Sequence, residues 1–538
     1  MAGGENVNSE RVRNPWLALV VLCLGVFMIV LDLTIVNVAL PTMIDSLHAS
    51  LDQILWVVNA YTLTFAVLLV TGSRLGDILG QRNLFGAGLA IFTIASAACG
   101  LAQDPGQLIA ARALQGVGAA VLSPQGIVII SAIFPADRRG AAFGILSGLT
   151  GLASVLGPAL GGLLIQYLDW RWIFFVNLPI GIAAIGLSFW LVPDLRPGKR
   201  HRLDLGGVAL LTGGLFGAVF GLVEGQRYDW GAISGTWLTI PEVLAAGVIL
   251  IGAFVAWEAF QREPLLPLSL FRNRNYSLMV WLTAVINFGL LGLMLVTTID
   301  LQSVLGYSAL KAGLTITPLT VALMVVAPFA GRLTDRFGAR FLLLPGFLLC
   351  AAGAAGIALL ESTGATWVTF ILPLAAFGTG MGLVFAPSVT EAMREVPPAL
   401  SGAASGMLNT SRQVGATIGA AVIGAVLQNQ LGTALRDQAV AASTSLPPQA
   451  RASFVAGFAN AARQGLQVGP SQAAHLPPAI AQLAHDVFVT GYSVAMRPTL
   501  LVAATSLLLG AISCALIASP KRAAELVDVR QESVRLGA

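Results

Sequence analysis

The sequence predicts an all-α integral membrane protein of fourteen transmembrane helices, and three observations carry that prediction. Hydrophobic residues fill 56% of the 538 positions and charged ones only 10%, against about a quarter in ordinary soluble domains. Apolar runs recur between turn and charge clusters, each near the roughly twenty residues that a helix needs to cross a bilayer. Two charged links, SRLGDILGQR at 73–82 and GRLTDRFGAR at 331–340, carry nearly the same decapeptide, which marks a duplicated bundle.

The first six spans read as 16–40, 53–72, 84–103, 107–133, 141–166 and 172–192, and with the N-terminal tail they make a bundle over 1–192. Residues 193–274 follow, with the links PDLRPGKRHRLD and QREPLLPLSLFRNRN flanking two spans at 205–224 and 237–257. A second bundle occupies 275–518, with spans at 276–301, 312–331, 341–360, 367–390, 401–428 and 494–518, and a tail at 519–538 ends the chain. The decapeptides lie 258 residues apart. Six spans with short loops need only roughly 200, so the surplus is an inserted pair between two six-helix bundles.

Charge placement sets the sidedness. Lys and Arg number 21 on the N-terminal side and 7 on the other, with Arg112 and Arg412 inside spans, so the positive-inside rule places both termini in the cytoplasm. The segment 429–493 then lies outside. It reads as a solvated loop, or alternatively as a cap over the outer mouth, in which SFVAGFANAARQGL suits a short amphipathic helix. His475 and His485 lack metal-ligand spacing and read as surface residues. Cys23, Cys99, Cys350 and Cys514 all sit in apolar stretches, which argues for helix packing and against disulfides or zinc. No phosphate-binding loop, HExxH or nucleophile elbow is present, so an enzyme or ATP-driven pump is disfavoured and no metal or cofactor is implied. The expected partners are the lipid bilayer, protons and a small amphipathic molecule, with no nucleic acid, and the chain is expected to act as a monomer.

The chemistry starts from charges stranded in apolar runs. Asp32 is the only charged side chain between Pro15 and Pro41, and at that depth it needs a partner or a proton. Arg112 in LIAARALQGVGAA cannot discharge, and by helical rise it reaches a depth similar to that of Asp32, so the two can couple. Either they exchange protons or they form a purely structural ion pair. Gln115 lies one turn from Arg112. Asn59, Tyr61, Gln115, Asn287 and Arg412 are candidates for lining a substrate path, although Arg412 could instead bond helix-end carbonyls. Asp300 lies near a span end, where it can meet water.

The repeated link, LDLTIVNVALP, LIAARALQGVGAA, GLASVLGPALGG at 151–162 and DWRWIFFVNLPIG at 169–181 together resemble the major facilitator superfamily, in particular its fourteen-span drug:proton antiporter branch. The resemblance covers nearly the whole chain. It implies two pseudo-symmetric bundles around a cavity open alternately to either side, with Asp32 and Arg112 coupling proton movement. It also implies gating by Asp77 and Arg82 in the first link, by Asp335, Arg336 and Arg340 in its repeat, and by Gly157, Pro158, Gly161 and Gly162 in a kinked interface helix. Asp77 is expected at a neighbouring helix N-terminus, and Arg82 is expected to tie the link across the bundle interface. Ser73 and Ala153 stand where the family has glycine, and Ser73 is expected to loosen close helix approach. The implied activity is proton-driven export of hydrophobic or amphipathic compounds such as drugs or antibiotics from a bacterial cell. Transport of lipids or an endogenous metabolite on the same fold is the alternative.

Overall fold

A computed structural model describes residues 14–194, 204–225, 227–228, 230–233, 236–261, 264–360, 365–444, 446–463 and 478–517. Among the described residues fourteen spans are long and apolar enough to cross a membrane. In order they are α1 (Pro15–Leu47), α2 (Leu51–Leu79), α3 (Gln81–Leu101), α4 (Pro105–Ile133), α5 (Arg139–Tyr167), a sixth span split into α6 (Trp172–Phe175) and α7 (Asn177–Leu191), α8 (Leu205–Glu224) and α9 (Ile240–Phe260). The second bundle holds α10 (Arg274–Ile299), α11 (Ala309–Phe337), α12 (Arg340–Leu360), α13 (Trp367–Arg394), α14 (Ser401–Ser443) and, after a short α15 (Pro448–Arg463), α16 (Pro478–Cys514). No strand occurs among the described residues beyond one isolated bridge between Ala232 and Thr239. Local chemistry sets the helix starts: Asn14, Ser50, Asp104 and Ser308 each accept a backbone N–H of the first turn.

The two bundles meet along two seams. At one, α5 lies against α11 through a stripe of small residues: Gly140 under Gly331, Gly144 under Ala327 and Pro328, Gly148 under Met324, and Gly151 under Thr320. Such stripes let backbones approach closely where the hydrophobic effect cannot drive helices together. At the other seam, α2 meets the start of α14, with Gly402 against the Asp77 carboxylate and Gly406 against Ser73. The inserted helix α8 packs on α9 and α2 and also touches α14.

The two decapeptides occupy equivalent places. Each ends its helix on a glycine with positive φ, Gly80 at 91° and Gly338 at 83°, whose N–H returns to the carbonyl four residues back at 2.9 Å. With ψ at 131° and 163° these are conformations that only glycine adopts without strain. Asp335 caps the start of α5, accepting the N–H groups of Gly140 at 2.9 Å and Ala141 at 3.2 Å. Asp77, its counterpart, abuts Gly402 at the start of α14 but takes its support from Gln81 at 3.4 Å and Arg74 at 3.8 Å.

Several expectations are corrected here. Arg82 does not cross the bundle interface: it pairs at 3.4 Å with Asp194, at the end of the sixth span of its own bundle. Arg336 and Arg340, named for gating, are exposed, and their surroundings neither support nor contradict that role. Ser73 tightens the seam it was expected to loosen, because its hydroxyl donates to the Gly402 carbonyl. Asp300 does not meet water: it is fully buried at the head of a π-helical turn, Asp300–Val304. The segment 429–493 is not a loop throughout. Helix α14 runs 43 residues, about 65 Å, more than twice the hydrocarbon thickness, and α16 begins at Pro478. Helix α15 packs against α14, with Phe454 and Phe458 edge to face at 5.2 Å. The linker 195–203, His475 and the tail from 518 lie outside the described residues.

The α5–α11 stripe generates a test. An added Cβ at Gly331 would fall on the Gly140 carbonyl oxygen. Gly331→Val should therefore cost about 1–3 kcal/mol by overpacking and lower the unfolding temperature of the purified protein in detergent. Gly162→Ala, at a site with open space, should leave that temperature in place.

Candidate functional site

Three spans of the first bundle converge on one carboxylate. Asp32 on α1 is wholly buried, and its Oδ2 accepts a bond from Arg112 Nη1 of α4 at 2.5 Å. Its Oδ1 accepts from Gln115 Nε2 at 2.8 Å and from Asn177 Nδ2, at the start of α7, at 3.3 Å. Arg112 and Gln115 sit one helical turn apart, which lets both reach the same acid.

The arginine is held as firmly as the acid. Its Nε donates to the Val57 carbonyl of α2 at 3.1 Å, and Nη1 also donates to Gln115 Oε1 at 2.7 Å. The Tyr61 ring lies 4.3 Å under the guanidinium, with Phe174 at 5.9 Å. Asn177 is steadied by Ser96 Oγ at 3.1 Å, whose hydroxyl donates to the Phe174 carbonyl at 2.9 Å. A buried ion pair offsets its desolvation only when further hydrogen bonds satisfy both partners. Here the carboxylate has three side-chain donors and the guanidinium has acceptors on α1, α2 and α4.

The structure brings some sequence-derived candidates together and separates others. Asp32, Arg112 and Gln115 form one cluster, in which Gln115 bonds both charged partners. Tyr61 is fully buried, with its ring under Arg112. Asn59 turns the other way and donates to Glu224 Oε1 of α8 at 3.0 Å. Asn287 is buried on α10 and donates to the Thr283 carbonyl of its own helix at 2.8 Å. Arg412 on α14 is partly exposed and has the Phe385 ring at 5.3 Å.

The kinked interface helix splits in role. Gly157 packs on Thr34 and Ile35, and Gly161 on Ile35 and Val38, so both serve contact between α5 and α1. Pro158 lies beside Gly313 of α11, across the seam, with 3.5 Å left for an added Cβ. Gly162 has open space around it and holds no close contact. Sequence reasoning missed Asn177, Ser96 and Glu224. Asn177 carried a signal, a lone amide in the apolar run WIFFVNLPIG, of the kind that drew attention to Asp32. Among the described residues no group of three His, Cys, Asp or Glu side chains could hold a metal ion.

The pair predicts its own coupling. Asp32→Ala leaves a buried cation and should cost about 3–5 kcal/mol, with Arg112→Met costing a similar amount. The double variant should lose clearly less than the sum, because it removes both charges, and thermal unfolding of the four proteins in micelles measures this.

Residues 22–420 match the Major Facilitator Superfamily family model. The tetracenomycin C resistance and export protein of Streptomyces glaucescens is 33% identical over 503 residues, covering 92% of this chain and 91% of its own. The multidrug transporter protein MdtP of Bacillus subtilis is 30% identical over 500 residues, covering 87% and 89%. The human organic anion transporter MFSD10 shares the fold, with a TM-score of 0.58 at 14% identity over 93% of this chain and 99% of that one. The chain belongs to the major facilitator superfamily and is a multi-pass membrane transporter of its drug efflux branch rather than an enzyme.

Proposed function

We propose that this transporter is a proton-coupled antiporter that exports hydrophobic or amphipathic small molecules, drugs and antibiotics among them, by alternating access. It works as a monomer in a bacterial plasma membrane with both termini cytoplasmic, driven by the proton gradient and without a cofactor. Relatives named for tetracenomycin C export and multidrug transport support the cargo. The single observation that carries the proton part is the Asp32 carboxylate, sealed from water and bonded to Arg112, Gln115 and Asn177.

Protonation of Asp32 from the outside removes its charge and with it the main attraction to Arg112. The guanidinium keeps Val57 and Gln115, so α4 and α2 stay joined while α1 loses its strongest tie. Helix α1 in turn lies on α5 through Gly157 and Gly161, and α5 begins at the Asp335 cap. A change at the carboxylate therefore reaches the seam helix through one packed contact. Release of the proton to the cytoplasm restores the ion pair and the cargo-receptive state. Each pH unit supplies about 1.4 kcal/mol, and one charge crossing 100 mV about 2.3 kcal/mol, so one proton per cycle sustains appreciable accumulation.

Asp32→Asn keeps the shape of the side chain but cannot cycle a proton. In proteoliposomes with an imposed gradient of about one pH unit, it should cut gradient-driven movement of a fluorescent amphipathic amine by about tenfold, to the level seen after nigericin collapses the gradient. Coupled transport equal to wild type would end the assignment.

A further inference from the structure

Arg412 is the second arginine inside a span, and its surroundings differ from those of Arg112 in one respect. Arg112 has Asp32; among the described residues Arg412 has no carboxylate and no hydrogen-bond acceptor. Its Nε is buried without a partner, while the side chain as a whole is partly exposed. Other buried acids are already engaged: Glu224 with Arg227 at 2.9 Å, Glu391 with Arg394 at 3.0 Å, and Asp77 with Arg74. A guanidinium stays charged at any physiological pH, so this span holds an uncompensated cation, which is costly in a membrane interior.

Its direction is fixed by its neighbours on α14. Ser411 donates to the Val280 carbonyl of α10 at 2.6 Å, and Gly415 lies against Ala284, which hold that face on α10. At 100° per residue Ser411 and Gly415 lie about 100° and 60° to one side of Arg412, so the guanidinium is turned away from the α10 face. The guanidinium points instead to α13, where the Phe385 ring faces it at 5.3 Å. A fixed cation beside an aromatic wall, with an unused donor and partial access, is a site for an anion carried on an apolar body.

We propose that Arg412 recognises the acidic group, carboxylate or phenolate, of an amphipathic aromatic acid, with Phe385 packing against its ring system. This rests on the export reading for its role as a cargo site, but not for the binding itself. The planar fork of arginine matches a carboxylate with two parallel hydrogen bonds, which lysine cannot offer.

The test compares one apolar body with and without charge: 1-pyrenebutyrate and its neutral amide, titrated onto the full-length protein in nanodiscs at pH 7 and followed by anisotropy. Wild type should bind the acid about tenfold or more tighter than the amide, the scale of a charge-assisted hydrogen bond. Arg412→Gln should bring that ratio near one, and Arg412→Lys should fall between. Arg412→Met, of similar length, replaces the glutamine variant if that protein is not monodisperse. Equal affinities in wild type, or a tenfold preference surviving in Arg412→Gln or Arg412→Met, would overturn the proposal. No gradient is needed for binding, so the two readings fail separately. An acid preference that depends on Arg412, together with coupled transport of the amine by Asp32→Asn equal to wild type, would end the proton-coupling reading and leave the anion site standing.

Discussion

A carboxylate and a guanidinium held together out of reach of water set the terms for the rest of the first bundle. Neither charge is tolerable there alone, and together they are tolerable only with further hydrogen bonds to both partners. That requirement explains the composition around them. Gln115 bonds both partners, Asn177 supplies a third donor to the acid, and Val57 lends a main-chain carbonyl to the arginine. It also explains why the sixth span is broken between α6 and α7: the break places Asn177 at the head of a helix, facing Asp32.

The motif side of the molecule shows how a duplicated sequence yields two unequal latches. Gly80 and Gly338 end their helices with the same backbone geometry, and Asp77 and Asp335 both meet the first turn of a helix in the opposite bundle. Only Asp335 is satisfied by backbone N–H groups, and one oxygen of Asp77 has no hydrogen-bond partner. In its place Ser73 reaches the Gly402 carbonyl. The bond to a serine hydroxyl is neutral, whereas the Asp335 cap is charge-assisted and aligned with a helix dipole, so the α2–α14 latch is the weaker of the two.

Much of this was legible in the chain because membrane interiors make charges rare. Asp32 and Arg112 stand out against apolar runs, the repeat stands out against loops of few residues, and hydropathy separates fourteen spans. Depth along a helix follows from counting at 1.5 Å per residue, which is why the acid and the arginine could be matched. Azimuth does not follow. Nothing in the local sequence of α2 says that Tyr61 faces Arg112 while Asn59 faces away, or that Arg82 meets Asp194 rather than the other bundle. Those are choices of packing between helices whose order around the bundle is not written in any one of them. The extension of α14 past the membrane was hidden for another reason: its polar composition beyond residue 428 resembles a loop, although Leu431, Leu435 and Ala439 keep a helical stripe that is buried.

The inserted pair α8–α9 gains a physical place from the same turn of α2. Val57 and Tyr61, one turn apart, present one face to Arg112. Asn59, two residues from each and so on the opposite face, donates to Glu224, which is buried and paired with Arg227. At the other end of the pair, Glu258 accepts the N–H groups of Leu265 and Leu266 at 3.1 and 3.2 Å, closing the link to the second bundle. The bond from Asn59 to this buried acid ties α8 to α2, beside packing of α8 on both α2 and α14. The inserted pair is thus bonded to the helix that braces the arginine, and the turn at residues 57–61 is where the insertion and the carboxylate site bear on one another.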